Sequence, residues 1–214
     1  MHSREIIQKV DSTFLASIEL LESAIKIYIR AGRFHVVAIH EKEIAELYET
    51  AIKDLESAMI WYERASERYE TENSPAIAKS LLLRVGNLAA SSQQYSKAAK
   101  IFDDVAQSCV SDTLQRFATN EHLFKASLCR LAGRDESLDE IKSKISNYAV
   151  LEPNFASQRE YELLIGMIEA LEQEDVDAFD QAVEMFQKVA SLDGWKSKAI
   201  NYIKTRFEEE PDLT

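Results

Sequence analysis

Histidine and cysteine, the side chains that most often bind metals or act as nucleophiles, are few in this sequence and do not form a recognisable site. His35 and His40 are five residues apart, so on a helix they lie on different faces, and a shared metal ion is not expected. Cys109 and Cys129 lack paired or metal-ligand spacing and follow a helical apolar pattern, which predicts reduced thiols in the core. Neither a glycine-rich phosphate loop nor a zinc-protease motif is present. We therefore predict a protein that is not an enzyme and that needs no cofactor.

The composition favours an all-α protein, which we expect to be soluble and intracellular. Its 214 residues are 46% hydrophobic but include only 5 Gly and 3 Pro, which is typical of helices rather than of strands and turns. No run approaches the roughly 18–20 apolar residues of a membrane span, and the N-terminus lacks the apolar core of a signal peptide. The formal net charge of −12 argues against affinity for nucleic acid. An acidic partner must therefore be bound by a local basic patch.

Apolar residues recur at spacings of three and four along nearly the whole chain, which predicts consecutive amphipathic helices. The predicted helices span residues 12–30, 35–50, 52–70, 76–92, 96–108, 113–132, 136–147, 157–172, 176–190 and 194–207. Gly32 and Gly133 are each predicted to end a helix in the left-handed conformation, and Pro75 is predicted to begin one. Links this short between helices predict antiparallel hairpins.

One residue pattern repeats along the chain: a small residue, an aromatic residue four positions on, and a small or apolar residue three positions beyond that. Its copies are Ala24-Tyr28-Ala31, Ala58-Tyr62-Ala65, Ala98-Phe102-Val105 and Ala182-Phe186-Val189. The first two intervals, 34 and 40 residues, bracket the tetratricopeptide period of about 34. Gly86 is interpreted as a helix-packing residue. We predict a right-handed superhelix of tetratricopeptide-like hairpins, a fold typical of binding scaffolds.

Two sets of charged residues remain after the helices are assigned. Basic residues are scattered through an acidic chain, and the C-terminus combines carboxylates, a proline and a lone leucine. Taken alone, the first set is ordinary surface charge and the second is a solvated terminus.

The particular residues of several segments resemble the alpha-type soluble NSF attachment proteins. The resemblance is carried first by residues 28–34, YIRAGRF, and residues 44–50, IAELYET. It continues through Leu82-Leu83-Arg84-Val85, Gln94-Tyr95, Phe124-Lys125-Ala126, Arg159-Glu160, Leu171-Glu172, Leu192-Asp193 and Trp195, and it covers about 200 residues. It begins part-way into the family's sequence, so the N-terminal part of a full-length member is expected to be missing.

The resemblance implies an adaptor in vesicle fusion. Such an adaptor binds the assembled four-helix bundle of syntaxin-type and partner SNARE proteins on its concave face, and it recruits and stimulates the NSF-type AAA ATPase that disassembles the bundle. The implied SNARE-binding residues are Arg33, Lys79, Arg84, Lys125 and Arg159. Ile39, Ser80 and Asn120 stand where the family commonly has lysine, although Lys79 is adjacent to Ser80. The implied NSF-binding residues are Glu208, Glu209, Glu210, Asp212 and Leu213.

The predicted organisation has three parts: helical hairpin repeats over 1–150, a C-terminal helical bundle over 151–207 and a mobile acidic tail over 208–214. Through the resemblance, peripheral membrane association is expected to depend on the missing N-terminal part. The alternative function is a generic tetratricopeptide scaffold that binds a partner peptide in its groove.

Overall fold

The structure is a computed structural model, and it describes residues 2–110, 116–192 and 194–208. Within those ranges all regular secondary structure is helical and no strand occurs, which confirms the all-α prediction. The α-helices of the described residues are α1 His2–Arg30, α2 Phe34–Leu47, α3 Leu55–Thr71, α4 Pro75–Ser91, α5 Tyr95–Val110, α6 Arg116–Gly133, α7 Leu138–Leu151, α8 Arg159–Glu172, α9 Val176–Gln187 and α10 Trp195–Lys204.

Each predicted helix corresponds to one of these ten helices, and the largest differences lie at the start of α1 and at the end of α7, which is Leu151 and not the predicted residue 147. Helix α1 begins at His2, well before the predicted start at residue 12. Helix α2 ends at Leu47 because the chain then makes one π-helical turn, Tyr48–Ile52. That turn ends at Lys53 in the left-handed conformation, with φ of 65°. Short 3-10 turns at Phe155–Ser157 and Thr205–Glu208 complete the described helical structure.

The predicted helix stops are confirmed in two cases and wrong in one. Gly32 has φ of 68°, as a left-handed C-cap requires, and Pro75 is the first residue of α4. Gly133 instead remains helical, and Arg134 adopts the left-handed conformation with φ of 60°. A Cβ atom on Gly133 would lie 3.3 Å from Oδ2 of Asp135 and in ordinary contact with Cβ of Tyr95 at 3.5 Å, so the main crowding of a side chain there would come from Asp135.

The chain divides into two compact units, Met1–Leu88 and Ala89–Thr214. In the first unit, α1, α2 and α3 pack around an aliphatic cluster. The buried members of that cluster are Ile18, Ile25, Val37 and Ile44. Burial of each such side chain contributes on the order of 1.5–3 kcal/mol. The second copy of the repeat pattern, Ala58-Tyr62-Ala65, is buried in α3 as a packing pattern should be.

In the second unit, α5 and α6 form one hairpin and α8 and α9 form another. The ring of Phe102 in α5 stacks on Trp195 of α10 with centroids 6.0 Å apart, and Phe124 of α6 stacks on Phe186 of α9 at 6.2 Å. Close contact in the α8–α9 hairpin depends on Gly166, since a Cβ there would lie 3.2 Å from Cβ of Ala182. The division into repeats, bundle and tail stays a prediction.

Both cysteines are buried and neither forms a disulfide, which confirms the prediction of structural thiols. Burial raises the pKa of the Cys129 thiol, with a smaller opposing effect from Lys125. Because the thiolate is the reactive form, Cys129 is held in an inert state.

Candidate partner-binding surface

Three of the residues predicted to bind SNARE proteins lie in the first unit, and they differ in solvent exposure. Arg33 is exposed at the N-cap of α2, where its backbone carbonyl accepts hydrogen bonds from the amides of Val36 and Val37. Lys79 is half-buried on α4, and Arg84 is exposed on the same helix. Since Lys79 and Arg84 are five residues apart, their directions differ by about 140° around the helix axis. They do not form one basic stripe along α4.

Arg84 is held by a carboxylate of the π-helical turn. Its Nε donates to Oε2 of Glu49 at 2.9 Å, and a second guanidinium nitrogen donates to Oε1 of the same carboxylate. The hydroxyl of Tyr62 also donates to Oε2 of Glu49, at 2.8 Å. The bonds to Glu49 raise the pKa of Arg84, while burial and then Glu49 raise the pKa of Tyr62. Glu49, Tyr62 and Arg84, called the surface trio below, therefore link the turn, α3 and α4.

The two predicted basic residues of the second unit are also unlike. Only 11% of the Lys125 side chain is exposed, and its ammonium lies 5.6 Å from the ring centre of Phe102. It forms an ion pair with Glu121 at 2.7 Å, and the hydrogen bond from Lys125 lowers the pKa of Glu121. Arg159 is exposed as the first residue of α8 and borders a mainly apolar cavity of about 330 Å³. That cavity is further lined by Glu162, Leu163, Ala182, Met185, Phe186 and Val189.

The three positions where the resemblance implies lysine differ in their surroundings. Ile39 is 36% exposed. The hydroxyl of Ser80 donates to the carbonyl of Ile77 at 2.9 Å. Asn120 borders a second cavity, of about 340 Å³, that is also lined by Phe186. Ser80 and Arg84 are one helical turn apart, so the missing lysine would have lain on the same face as Arg84.

Of the predicted NSF-binding residues, only Glu208 lies in the described part of the chain, at the exposed end of the last 3-10 turn. Glu209, Glu210, Asp212 and Leu213 lie outside it. The segment before Glu208 is fixed to α9: Phe207 packs edge-on against Phe179 with centroids 5.5 Å apart, and Lys204 binds Asp180 at 2.7 Å. The last described residues before the predicted tail are therefore held against α9.

Within the described residues, no group of three or more histidine, cysteine or acidic side chains is arranged to hold a metal ion. Over the same part of the chain, no helix combines the length and the apolar character that crossing a bilayer requires.

Comparison with known proteins identifies the family to which this chain belongs. The family model described as "Soluble NSF attachment protein, SNAP" matches residues 2–208. The chain belongs to the soluble NSF attachment protein family. The match confirms the resemblance that the sequence predicted, and the family is one of attachment proteins and not of enzymes.

Curated relatives support the assignment at similar levels of identity. The chain is 34% identical over 193 residues to a probable vesicular-fusion protein sec17 homolog of Neurospora crassa, covering 90% of this chain and 65% of the relative. It is 34% identical over 200 residues to an alpha-soluble NSF attachment protein of Mus musculus, covering 92% and 66% of the two chains. A beta-soluble NSF attachment protein of Bos taurus matches at 34% over 194 residues, covering 90% and 63%. The chain thus spans about two thirds of the length of these soluble NSF attachment proteins.

Sequence reasoning selected Arg84 but missed Glu49 and Tyr62, which hold it. Glu49 and Arg84 both occur in segments that resemble the family, yet they are separated by 35 positions. No helical spacing links residues so far apart, so only the fold reveals the contact.

Proposed function

We propose that this chain is an adaptor that binds an assembled SNARE four-helix bundle and recruits and stimulates the AAA ATPase NSF, so that the bundle is disassembled during vesicle fusion. The observation that supports this most is the family match over residues 2–208. The relatives named above are vesicular-fusion and NSF attachment proteins, which fits an adaptor role.

The basic residues give this adaptor a physical means of binding. On a chain of net charge −12, an acidic bundle is attracted only where arginines and lysines are exposed. Arg33, Arg84 and Arg159 meet that condition, whereas Lys125 is mostly covered and paired with Glu121. We therefore assign the larger contributions to the three arginines and a smaller one to Lys125, and we expect these charges to set the association rate and its salt dependence.

The acidic C-terminus is proposed to engage NSF, with Leu213 stimulating the ATPase and the neighbouring carboxylates meeting basic domains. The fixed 3-10 turn at Thr205–Glu208 would hold the start of this segment at a defined place on α9. The protein is proposed to be cytoplasmic. Peripheral membrane association is proposed to depend on the N-terminal part of full-length family members.

The first experiment is retention of the chain on an immobilised, preassembled SNARE bundle and on the separate SNARE proteins, at low and moderate salt. Selective retention on the bundle that weakens with salt is the expected result. Binding to one free SNARE peptide and not to the bundle would favour the generic peptide-binding scaffold instead. No retention at low salt would contradict the adaptor proposal.

The basic surface is tested by the double charge reversal Arg84→Glu with Arg159→Glu. We expect loss of bundle retention with unchanged helicity by circular dichroism. The matched control is Lys100→Glu with Lys188→Glu, which changes the net charge from −12 to −16 as the test variant does, at exposed residues outside the predicted set. Equal losses in the two double variants would mean that only net charge matters and that the assigned surface is wrong.

A further inference from the structure

The surface trio leaves Arg84 only partly occupied. A guanidinium carries five N–H donors, and Nε and one terminal nitrogen each use one of them on Glu49, so three of the five remain. Both bonds lie along one edge of the planar group, which is the two-point geometry that fixes an arginine most firmly. With 53% of the Arg84 side chain exposed, the opposite edge is available to solvent or to a partner.

Glu49 is itself firmly placed. Only 11% of its side chain is exposed, and Tyr62, which is 4% exposed, donates to the same oxygen that accepts from Nε of Arg84. A buried tyrosine hydroxyl bound to a carboxylate limits the rotation of that carboxylate. The position of the Arg84 guanidinium is therefore determined by side chains beneath it and not by Arg84 alone.

Holding Arg84 has two opposing electrostatic effects. The charge of Glu49 offsets that of Arg84, which lowers the attraction of a distant acidic partner. At contact, however, the orientation of Arg84 has already been fixed, so less side-chain entropy is lost when a partner carboxylate binds the free edge. The first effect acts on the association rate and the second on the dissociation rate.

We propose that Glu49, supported by Tyr62, is a positioning residue of the partner-binding surface: it sets the free edge of Arg84 to bind a carboxylate on an acidic helical bundle. This inference rests on the proposed function. In it, Glu49 slows dissociation of the complex, and it also slows association because its charge offsets that of Arg84. An arginine held in this way favours a partner with a carboxylate in one place over a partner that is merely acidic.

The test is a double-mutant cycle between Glu49 and Arg84, with the kinetics of binding to an immobilised SNARE bundle measured for the whole chain. We expect Glu49→Gln to raise the association rate constant at low salt by about twofold and the dissociation rate constant by about tenfold. In an Arg84→Ala background the same change should leave the dissociation rate constant unaltered, because Glu49 acts only through Arg84. Arg84→Lys, which keeps the charge but cannot bind two points of a carboxylate, should also dissociate faster than the wild type.

Each outcome of the cycle decides something. A dissociation rate that Glu49→Gln does not change, or changes equally with and without Arg84, overturns the positioning role while wild-type binding keeps the adaptor proposal intact. If the wild type binds and Arg84→Ala dissociates at the same rate, the positioning role is also overturned, because Arg84 then makes no contact with the partner. Absence of wild-type binding overturns the proposed function and this inference together. Unfolding midpoints, measured for every variant, separate loss of fold from loss of positioning.

Discussion

The two units of this protein each contain a carboxylate that accepts hydrogen bonds from one arginine and one tyrosine, but the arginines differ in exposure. In the first unit Glu49 holds Tyr62 and Arg84, and 53% of the Arg84 side chain is exposed. In the second unit Asp103 holds Tyr148 and Arg130, and only 14% of Arg130 is exposed. Arg130 also binds Glu136, which in turn binds Lys144 at 2.8 Å.

The same three chemical groups therefore serve two purposes. The core trio consists of Asp103, Tyr148 and Arg130. It joins α5, α6 and α7, and its arginine binds carboxylates within the protein. The surface trio uses one edge of its arginine for the fold and leaves the other free. Exposure, and not the list of bonded partners, distinguishes Arg130, which stabilises the fold, from Arg84, which is proposed to bind a partner.

The largest expected effect comes from breaking the core trio. Asp103→Asn should lower the free energy of unfolding by about 3 kcal/mol, because a buried arginine loses a charged partner. Glu49→Gln should lower it by less than about 1 kcal/mol, since Arg84 can be hydrated. Urea unfolding of both variants measures the difference. The control is Asp104→Asn at the adjacent exposed position, which should change stability by less than about 0.5 kcal/mol. Equal losses at residues 103 and 49 would contradict the distinction.

A smaller effect is expected from removing one hydroxyl in each trio. Tyr148→Phe should cost about 1.5 kcal/mol of unfolding free energy, because its hydroxyl donates to a charged acceptor at a buried site. Tyr62→Phe should cost about half as much, since Oε2 of Glu49 still accepts a hydrogen bond from Nε of Arg84 after the hydroxyl is lost. Thermal or urea unfolding of the two phenylalanine variants checks the order, and a larger loss for Tyr62→Phe would reverse the comparison.

A third carboxylate, Asp54, shows what neutral donors alone contribute. It caps α3 by accepting from the amide of Ser57 at 3.1 Å and from the Ser57 hydroxyl at 2.6 Å, and these bonds lower the pKa of Asp54. Asp54→Ala should destabilise the protein by about 1 kcal/mol at neutral pH. Because the folded pKa lies below the unfolded value of about 3.9, the cap's contribution is complete above that value and is lost as the pH falls through the folded pKa. Urea unfolding at pH 7 and pH 3 should show the wild type and Asp54→Ala converging, and a constant difference would contradict this.

The smallest effect on stability is expected for Arg84 itself. Arg84→Ala should change the free energy of unfolding by less than about 0.5 kcal/mol, as is usual for an exposed member of an ion pair. A loss above about 2 kcal/mol in urea unfolding would place Arg84 with Arg130 as a structural residue, and the assignment of a binding role would then lose its basis.

The sequence predicted the helices well because their signals are local. Apolar spacing, Gly32 and Pro75 act within a few residues, so each could be interpreted without knowing what lies across the fold. Gly133 was interpreted wrongly because the helix continues through it, and the next residue, Arg134, adopts the left-handed conformation instead. A glycine near the end of a helix does not by itself show which of two neighbouring residues takes the left-handed conformation.

The candidate site shows the same limit. The family resemblance selected the five basic residues, but it carries no information on how available each charge is. Lys125 is nearly covered beside Phe102 and paired with Glu121, while Arg84 is exposed and held by Glu49. Those differences depend on packing among helices, which composition and spacing do not encode.

The π-helical turn at Tyr48–Ile52 makes the placement of Glu49 a question of helical phase. One residue more or less in a helix rotates everything beyond it by about 100°. Deleting Ala51 would shorten this turn by one residue and change the angular relation between Glu49 and the start of α3, where Asp54 caps the helix. Glu49 would then no longer point towards Tyr62 and Arg84, although no residue of the trio had been altered. The spacing of the chain at this turn is therefore as much a part of the proposed binding surface as the arginine itself.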